Sequence, residues 1–259
     1  MARPVLLPLQ RPAPQRAPRP APQRALRRPP RAGVTAVWRR HHDLLGAASS
    51  LVATTGVVSV LGFGYWAVAA RLFSQQAVGY GSAAVSAITL LGTIGMLGLG
   101  TVLIGELPRR SPQAGLLSAA LLTSGLGSLV LGLGFAVLSP RFSGRFGDIS
   151  GTPGQIMLFA AGVMLTGGAL VFDQATIGLM RGGLQLSRNL VFAIAKLLAL
   201  PAAAFILRDQ FGTGITLSWV VGTALSAAAI AIWLRLTGTR VMPRPDWGVL
   251  RGLGRTTLA

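Results

Sequence analysis

The chain has 259 residues, of which 51% are hydrophobic and only 12% charged, whereas soluble domains carry about 25% charged residues. Lysine and arginine number 24 against six acidic residues, which gives a formal charge of +18, and cysteine is absent. The missing cysteines exclude a disulfide framework and a thiolate metal site. Because the chain has only two histidines, His41 and His42, we predict neither an enzyme nor a bound cofactor or metal.

Residues 1–43 form a basic, proline-rich tail. They hold ten arginines, the segment RPAPQRA occurs twice (11–17 and 19–25), and nine of the sixteen prolines precede residue 31. Such a tract cannot bury enough apolar surface to fold, so we predict a disordered cytoplasmic tail. It serves either to attract anionic lipid headgroups or only as a solvated extension. Nucleic-acid binding is not expected, because no aromatic residue interleaves the arginines up to residue 31.

Six long apolar stretches follow the tail, and each approaches or exceeds the roughly 20 residues that a helix needs to cross a bilayer. Lipid satisfies no backbone polar groups, so helices are the expected structure. The first stretch continues well past the length of a secretory signal and is predicted to be a retained span. The sequence therefore predicts an all-α membrane protein with a six-helix lobe at 44–236. The predicted spans are 44–70, 77–105, 114–138, 155–180, 189–207 and 213–234.

The distribution of basic residues predicts the orientation in the membrane. With the N-terminus in the cytoplasm, the inner segments hold 19 lysines and arginines and the outer segments hold four. The positive-inside rule then places both termini in the cytoplasm. In this orientation Tyr65, Trp66 and Tyr80 are predicted to lie in an outer aromatic belt, and Trp233 in an inner one.

Asp173 and Lys196 are charged residues inside predicted spans, where each costs about 2.5–3.5 kcal/mol on insertion scales. They are equally distant in sequence from the middle of the predicted cytoplasmic turn at 181–188. Antiparallel helices would therefore place them at similar depth, which predicts a facing ion pair. The pair either fixes the hairpin register or forms a polar cavity wall, in which Lys196 attracts a phosphate and Asp173 relays protons.

Three arginines complete the set of candidate substrate-binding residues. Arg181 and Arg188 are interpreted either as positive-inside residues or as contacts to an anionic headgroup at a cavity mouth. Arg71 is expected to extend to the outer interface. The hypothetical substrate-binding set is thus Lys196, Asp173, Arg181, Arg188 and Arg71.

Two stretches carry a resemblance to a known family. The run Ala-Arg-Leu-Phe-Ser-Gln-Gln-Ala-Val-Gly-Tyr-Gly-Ser-Ala-Ala-Val-Ser at 70–86 resembles the start of polysaccharide flippases of the multidrug/oligosaccharidyl-lipid/polysaccharide exporter superfamily. The run Phe-Asp-Gln-Ala-Thr-Ile-Gly-Leu-Met-Arg-Gly-Gly-Leu-Gln-Leu-Ser-Arg-Asn at 172–189, continuing as Lys-Leu-Leu-Ala-Leu-Pro at 196–201, resembles the fourth and fifth helices of bacterial polysaccharide biosynthesis membrane proteins.

The resemblance implies a transporter in the bacterial cytoplasmic (inner) membrane, which moves undecaprenyl-diphosphate-linked oligosaccharide from the cytoplasmic to the outer leaflet for polysaccharide or lipopolysaccharide assembly. Family members have two lobes around a cationic cavity, and this chain resembles only the N-terminal lobe. The segment 242–255 resembles the linker between the lobes, so we expect residues 237–259 to be a cytoplasmic linker. The expected partners are the lipid-linked oligosaccharide, membrane lipids, and a second lobe or a second copy; a fragment of a longer protein is the preferred interpretation.

Three alternatives remain at this point. A multidrug exporter of the same superfamily would share the helices, but should carry acidic residues in its cavity to bind organic cations. A membrane polymerase, ligase or glycosyltransferase of polysaccharide assembly would need a larger outer loop, whereas the longest one here, 140–153, has a single acid, Asp148. A non-transporting membrane scaffold is the third alternative.

Overall fold

The structure is a computed structural model that describes residues 56–109, 114–142, 151–207 and 212–236. The predicted tail at 1–43 and linker at 237–259 lie outside these residues. The described ranges contain helices and no strand, which confirms the predicted all-α class. The helices are α1 (Gly56–Leu72), α2 (Gln75–Gly95), α3 (Leu99–Glu106), α4 (Ala114–Phe142), α5 (Pro153–Gly178), α6 (Gly182–Ile206) and α7 (Thr213–Leu236), and a 3-10 turn, Leu107–Arg109, follows α3.

Five of these helices, α2 and α4 to α7, are long and apolar enough to cross a membrane. Helix α1 is apolar but shorter, and residues 44–55 of the predicted first span lie outside the described ranges. The chain is therefore a multi-pass membrane protein. Helix α1 and these five helices correspond in order to the six predicted spans.

The predicted second span, 77–105, is not one helix. Helix α2 ends at Gly95, and the backbone turns through Leu97 (φ 51°) and Gly98 (φ 72°) before α3 begins. Both residues occupy the left-handed region, which glycine adopts at little cost and leucine seldom does. The apolar pattern runs unbroken across this turn, so hydropathy alone could not predict the break.

Local capping fixes where two helices begin. Ser74 caps α2 by accepting a hydrogen bond from the Ala77 amide (3.2 Å). Thr152 and Gln155 form a reciprocal capping box at the start of α5, where Pro153 takes the first helical position. The Gln155 side chain also donates to the Thr213 hydroxyl (3.1 Å), which joins the starts of α5 and α7.

Helix α5 is the centre of the bundle and packs against α2, α3, α4 and α7. Helix α6 packs mainly on α7 and makes few contacts with α5, although α5 precedes it directly in the chain. Small residues permit the close crossings. The Ser128 hydroxyl of α4 occupies the space that a β-carbon on Gly95 or Gly167 would need, so α2, α4 and α5 meet at nearly backbone distance.

Candidate functional site

Asp173 and Arg188 form a bidentate ion pair between α5 and α6. The Arg188 Nε donates to Asp173 Oδ1 at 2.8 Å, and one terminal nitrogen of the guanidinium donates to the other carboxylate oxygen. That terminal nitrogen also donates to the Asn189 side-chain oxygen at 2.8 Å. Arg188 is only 7% exposed. The pair thus neutralises the intramembrane carboxylate with a fixed, planar partner.

The predicted pairing of Asp173 with Lys196 is wrong, and the position of the turn explains the error. The sequence predicts a cytoplasmic turn at 181–188, but α6 already begins at Gly182, and the connection to α5 is only the three residues 179–181. Counted from the centre of this shorter turn, residue 180, the position matching Asp173 is residue 187. Arg188 is therefore Asp173's neighbour in depth, while Lys196 lies about 12 Å further along α6.

The same correction applies to Arg188 as a predicted residue of the cytoplasmic turn. It lies in the second turn of α6 and is buried in an ion pair rather than exposed at a cavity mouth. The tight connection depends on Met180, whose φ of 53° reverses the chain immediately after α5.

Lys196 has no carboxylate partner within the described residues and is instead enclosed by aromatic rings. Its Nζ lies 4.3 Å from the ring centre of Trp219, 4.6 Å from Phe192 and 4.8 Å from Tyr65. We call these three rings the aromatic cage. The residue is 6% exposed, and none of its three N–H donors has an acceptor in the described ranges. The ammonium is therefore stabilised by ring quadrupoles instead of a counter-ion.

The cage is assembled from three helices. Tyr65 comes from α1, Phe192 stands one helical turn before Lys196 on α6, and Trp219 comes from α7. Helices α6 and α7 cross closely here, because a β-carbon on Gly222 would lie 2.8 Å from Lys196 Cβ. The rings also support one another: Phe192 and Trp219 are edge-to-face with centroids 5.0 Å apart.

Tyr65 is fully buried and does not face lipid as a belt residue would. Its hydroxyl shares a 2.8 Å hydrogen bond with Ser218 Oγ and donates to the Ile215 carbonyl at 3.2 Å. Sequence reasoning placed Tyr65 in an outer belt and missed the cage. Of its three rings, only Phe192 could have been found from the sequence, by its spacing of four residues from Lys196 on one helix.

The remaining candidate arginines lie at opposite ends of the bundle. Arg71 is exposed at the end of α1, two residues before Phe73, whose ring packs where α7 begins. Arg181 is exposed at the start of α6 and borders a groove that Trp233, near the end of α7, also lines. The structure thus joins Asp173 with Arg188, and keeps Lys196, Arg181 and Arg71 in three separate environments.

Both acids in the described ranges have arginine partners. Asp173 is paired with Arg188, and Glu106 lies 4.0 Å from Arg109 at the end of α3. No group of three or more histidine, cysteine or acidic residues that could hold a metal occurs in the part of the chain described. Lys196 is consequently the buried charged residue in the described spans that lacks an ionic counterpart.

No protein-family model, no curated protein and no solved structure matches this chain.

Proposed function

We propose that the chain is a lobe of a flippase for lipid-linked oligosaccharide carried on undecaprenyl diphosphate, in the cytoplasmic membrane. The observation that carries the proposal is the charge balance inside the spans. Asp173 and Arg188 cancel each other, and Lys196 is left as a net positive charge without an acceptor. A diphosphate is the kind of ligand that can supply both the missing charge and the missing acceptor atoms.

The same balance favours this substrate over that of a multidrug exporter. An organic cation needs a carboxylate or an open aromatic surface. In the described spans the carboxylate of Asp173 is held by Arg188, and the aromatic cage is already occupied by Lys196. An anionic headgroup requires neither a free carboxylate nor an empty aromatic cage. The proposed role of Lys196 is to leave the cage and bind a phosphate when the substrate enters.

The proposed assembly includes a second lobe or a second copy of the chain. Helix α2 supports it with an exposed row of small and hydroxyl residues at Gly79, Ser86, Thr89 and Thr93. The hydroxyls of Thr89 and Thr93 donate to carbonyls of their own helix, and a row of such small side chains lets another helix approach closely. We expect both termini to lie in the cytoplasm, as the basic residues indicate.

Binding of undecaprenyl diphosphate to the full chain in phosphatidylcholine nanodiscs tests the substrate class. We expect tighter binding of the diphosphate than of undecaprenol, and weak binding of tetraphenylphosphonium. Lys196→Met should reduce the diphosphate affinity at least tenfold, which corresponds to about 1.4 kcal/mol. It should cause no large loss of stability, because the variant loses the cation–π contacts but also removes the desolvation cost of a buried ammonium. The control is Arg141→Gln, an exposed arginine at the end of α4, which should leave binding unchanged.

Equal binding of undecaprenol and undecaprenyl diphosphate would overturn the proposal, as would an unchanged affinity in Lys196→Met. A preference for tetraphenylphosphonium would favour the multidrug exporter instead. A large loss of stability in Lys196→Met together with an unchanged affinity would show that the ammonium serves only to hold the helices together.

A further inference from the structure

A groove with a volume of about 750 Å³ opens between the start of α6 and the end of α7. It does not include Lys196 or the aromatic cage and is separate from the proposed substrate site. The α6 wall consists of Arg181, Gly183, Leu184, Ser187 and Val191, and the α7 wall of Ala229, Ile230 and Trp233.

The groove has one basic end and a long apolar interior. Arg181 is exposed, and no carboxylate in the described ranges pairs with it. The Ser187 hydroxyl donates to the Gly183 carbonyl of its own helix (2.9 Å). The α6 wall of the groove therefore presents no unpaired hydroxyl donor at Ser187. Within the described lining no acidic residue opposes Arg181. An occupant that complements this surface is anionic at one end and apolar over the rest.

The order of the lining residues along the helices indicates how a bound molecule would be oriented in the groove. Arg181 and Val191 are ten residues apart at the two ends of the α6 wall, which spans about 15 Å along the helix axis. This is half of a hydrocarbon core of about 30 Å, the depth of one leaflet. On α7, Trp233 lies towards the helix end and Ile230 one turn deeper, and tryptophan characteristically lies at the headgroup level.

We propose that this groove binds an anionic membrane phospholipid, with its phosphate at Arg181 and one acyl chain along Leu184, Val191 and Ile230. The occupant is a lipid of the leaflet on which Arg181 lies, bound from the side of the bundle. Basic pockets between transmembrane helices bind anionic headgroups in this way. The proposal does not depend on what the protein transports.

Fluorescence quenching by brominated lipids tests the site, because Trp233 lines it. The full chain is titrated in micelles with phosphatidylglycerol or phosphatidylcholine brominated on the acyl chains. We expect phosphatidylglycerol to reach half-maximal quenching at a mole fraction at least threefold lower. Arg181→Gln should abolish this preference, and Trp233→Phe should remove the component of the quenching that depends on phosphatidylglycerol.

Two further variants and one soluble competitor separate the possible outcomes. Arg141→Gln, which removes an exposed arginine elsewhere, should retain the preference. Ala229→Phe should fill the groove without adding a fluorophore that reports in this assay, and should weaken quenching by both lipids. Glycerol 3-phosphate should not displace the brominated phosphatidylglycerol, because it lacks an acyl chain; displacement would show a site for free phosphate and overturn the lipid assignment. Equal quenching by the two lipids, or equal effects of Arg141→Gln and Arg181→Gln, would also overturn it.

Discussion

Asp173 and Arg188 lie on consecutive helices, fifteen residues apart, and their side chains meet in a two-point ion pair across the three-residue connection between α5 and α6. Because Arg188 neutralises the carboxylate of Asp173, Lys196 is not its counter-ion. Lys196 lies about two turns further along α6. The three intramembrane charges are thus divided into a neutral pair and a lone ammonium. This division underlies the proposal of an anionic substrate.

We predict that breaking the Asp173–Arg188 pair from either side strongly destabilises the fold. Asp173→Asn leaves a buried guanidinium without its counter-ion, and Arg188→Met leaves a buried carboxylate. Each single variant should lower the free energy of unfolding by about 3–5 kcal/mol. The double variant Asp173→Asn/Arg188→Met should be considerably more stable than either single variant, because it leaves no buried charge unpaired. Unfolding in mixed micelles with increasing denaturing detergent, followed by circular dichroism, measures the free energies.

The matched control for this prediction is the exposed pair of Glu106 and Arg109. Arg109 is 78% exposed and 4.0 Å from its partner, so Arg109→Gln should change stability by at most about 1 kcal/mol. The interpretation is contradicted if the double variant is as unstable as the single variants. A cost for Asp173→Asn no larger than that of Arg109→Gln would contradict it too.

Much of the fold could be predicted from the sequence because its signals are local. Charged and proline-containing separators divide the apolar runs, and run length sets the number of crossings. The break at Leu97 and Gly98 could not be predicted, because both sides of it are equally apolar. The start of α6 was also missed: Gly182 and Gly183 are characteristic of a turn, yet the structure includes them in the helix.

The candidate site was predicted by its residue types but not by its contacts. A charged side chain inside a membrane span costs free energy, so the positions of Asp173 and Lys196 within apolar runs were enough to identify them as candidates. Their partners depend on helix rotation and on the exact position of the turn. An error of a few residues in the turn is enough to predict Lys196 as the partner of Asp173 instead of Arg188, which lies two helical turns away from it. Tyr65 and Trp219 belong to helices distant in sequence, and no local pattern connects them with Lys196.

We predict that Tyr65 stabilises the cage through its hydroxyl as well as its ring. Tyr65→Phe keeps the ring beside Lys196 but loses the hydrogen bonds to Ser218 and Ile215. Interhelical hydrogen bonds in membranes are worth about 0.6 kcal/mol on average and up to about 1.7, and we expect a loss of stability in this range. Adding Ser218→Ala gives a double-mutant cycle, in which the pair should show a positive coupling energy.

A coupling of zero in that cycle would show that the hydroxyls of Tyr65 and Ser218 contribute independently. The cage interpretation requires a second result, which is that Tyr65→Leu costs more than Tyr65→Phe. Leucine removes the ring beside the Lys196 ammonium, and with it one of three cation–π contacts worth about 0.5–2 kcal/mol each.

Gly167 and Gly168 provide the sharpest test of the central helix crossing, because they are neighbours on α5 in opposite environments. A β-carbon on Gly167 would collide with Ser128 and approach Ser124, whereas one on Gly168 would have nothing within 4 Å. We expect Gly167→Ala to cost about 1–3 kcal/mol through overpacking of α4 against α5. Gly168→Ala should be neutral or stabilising by up to about 1 kcal/mol, because alanine is the better helix former.

Thermal unfolding of the two variants in the same detergent measures this difference. Ser128→Ala should partly rescue Gly167→Ala, since it removes the hydroxyl that occupies the space. The Ser128 hydroxyl has no hydrogen-bond partner within the described residues, so Ser128→Ala alone should not destabilise the protein. Equal melting temperatures for Gly167→Ala and Gly168→Ala would show that α4 and α5 do not cross at Ser128, and the description of the bundle centre would then be wrong.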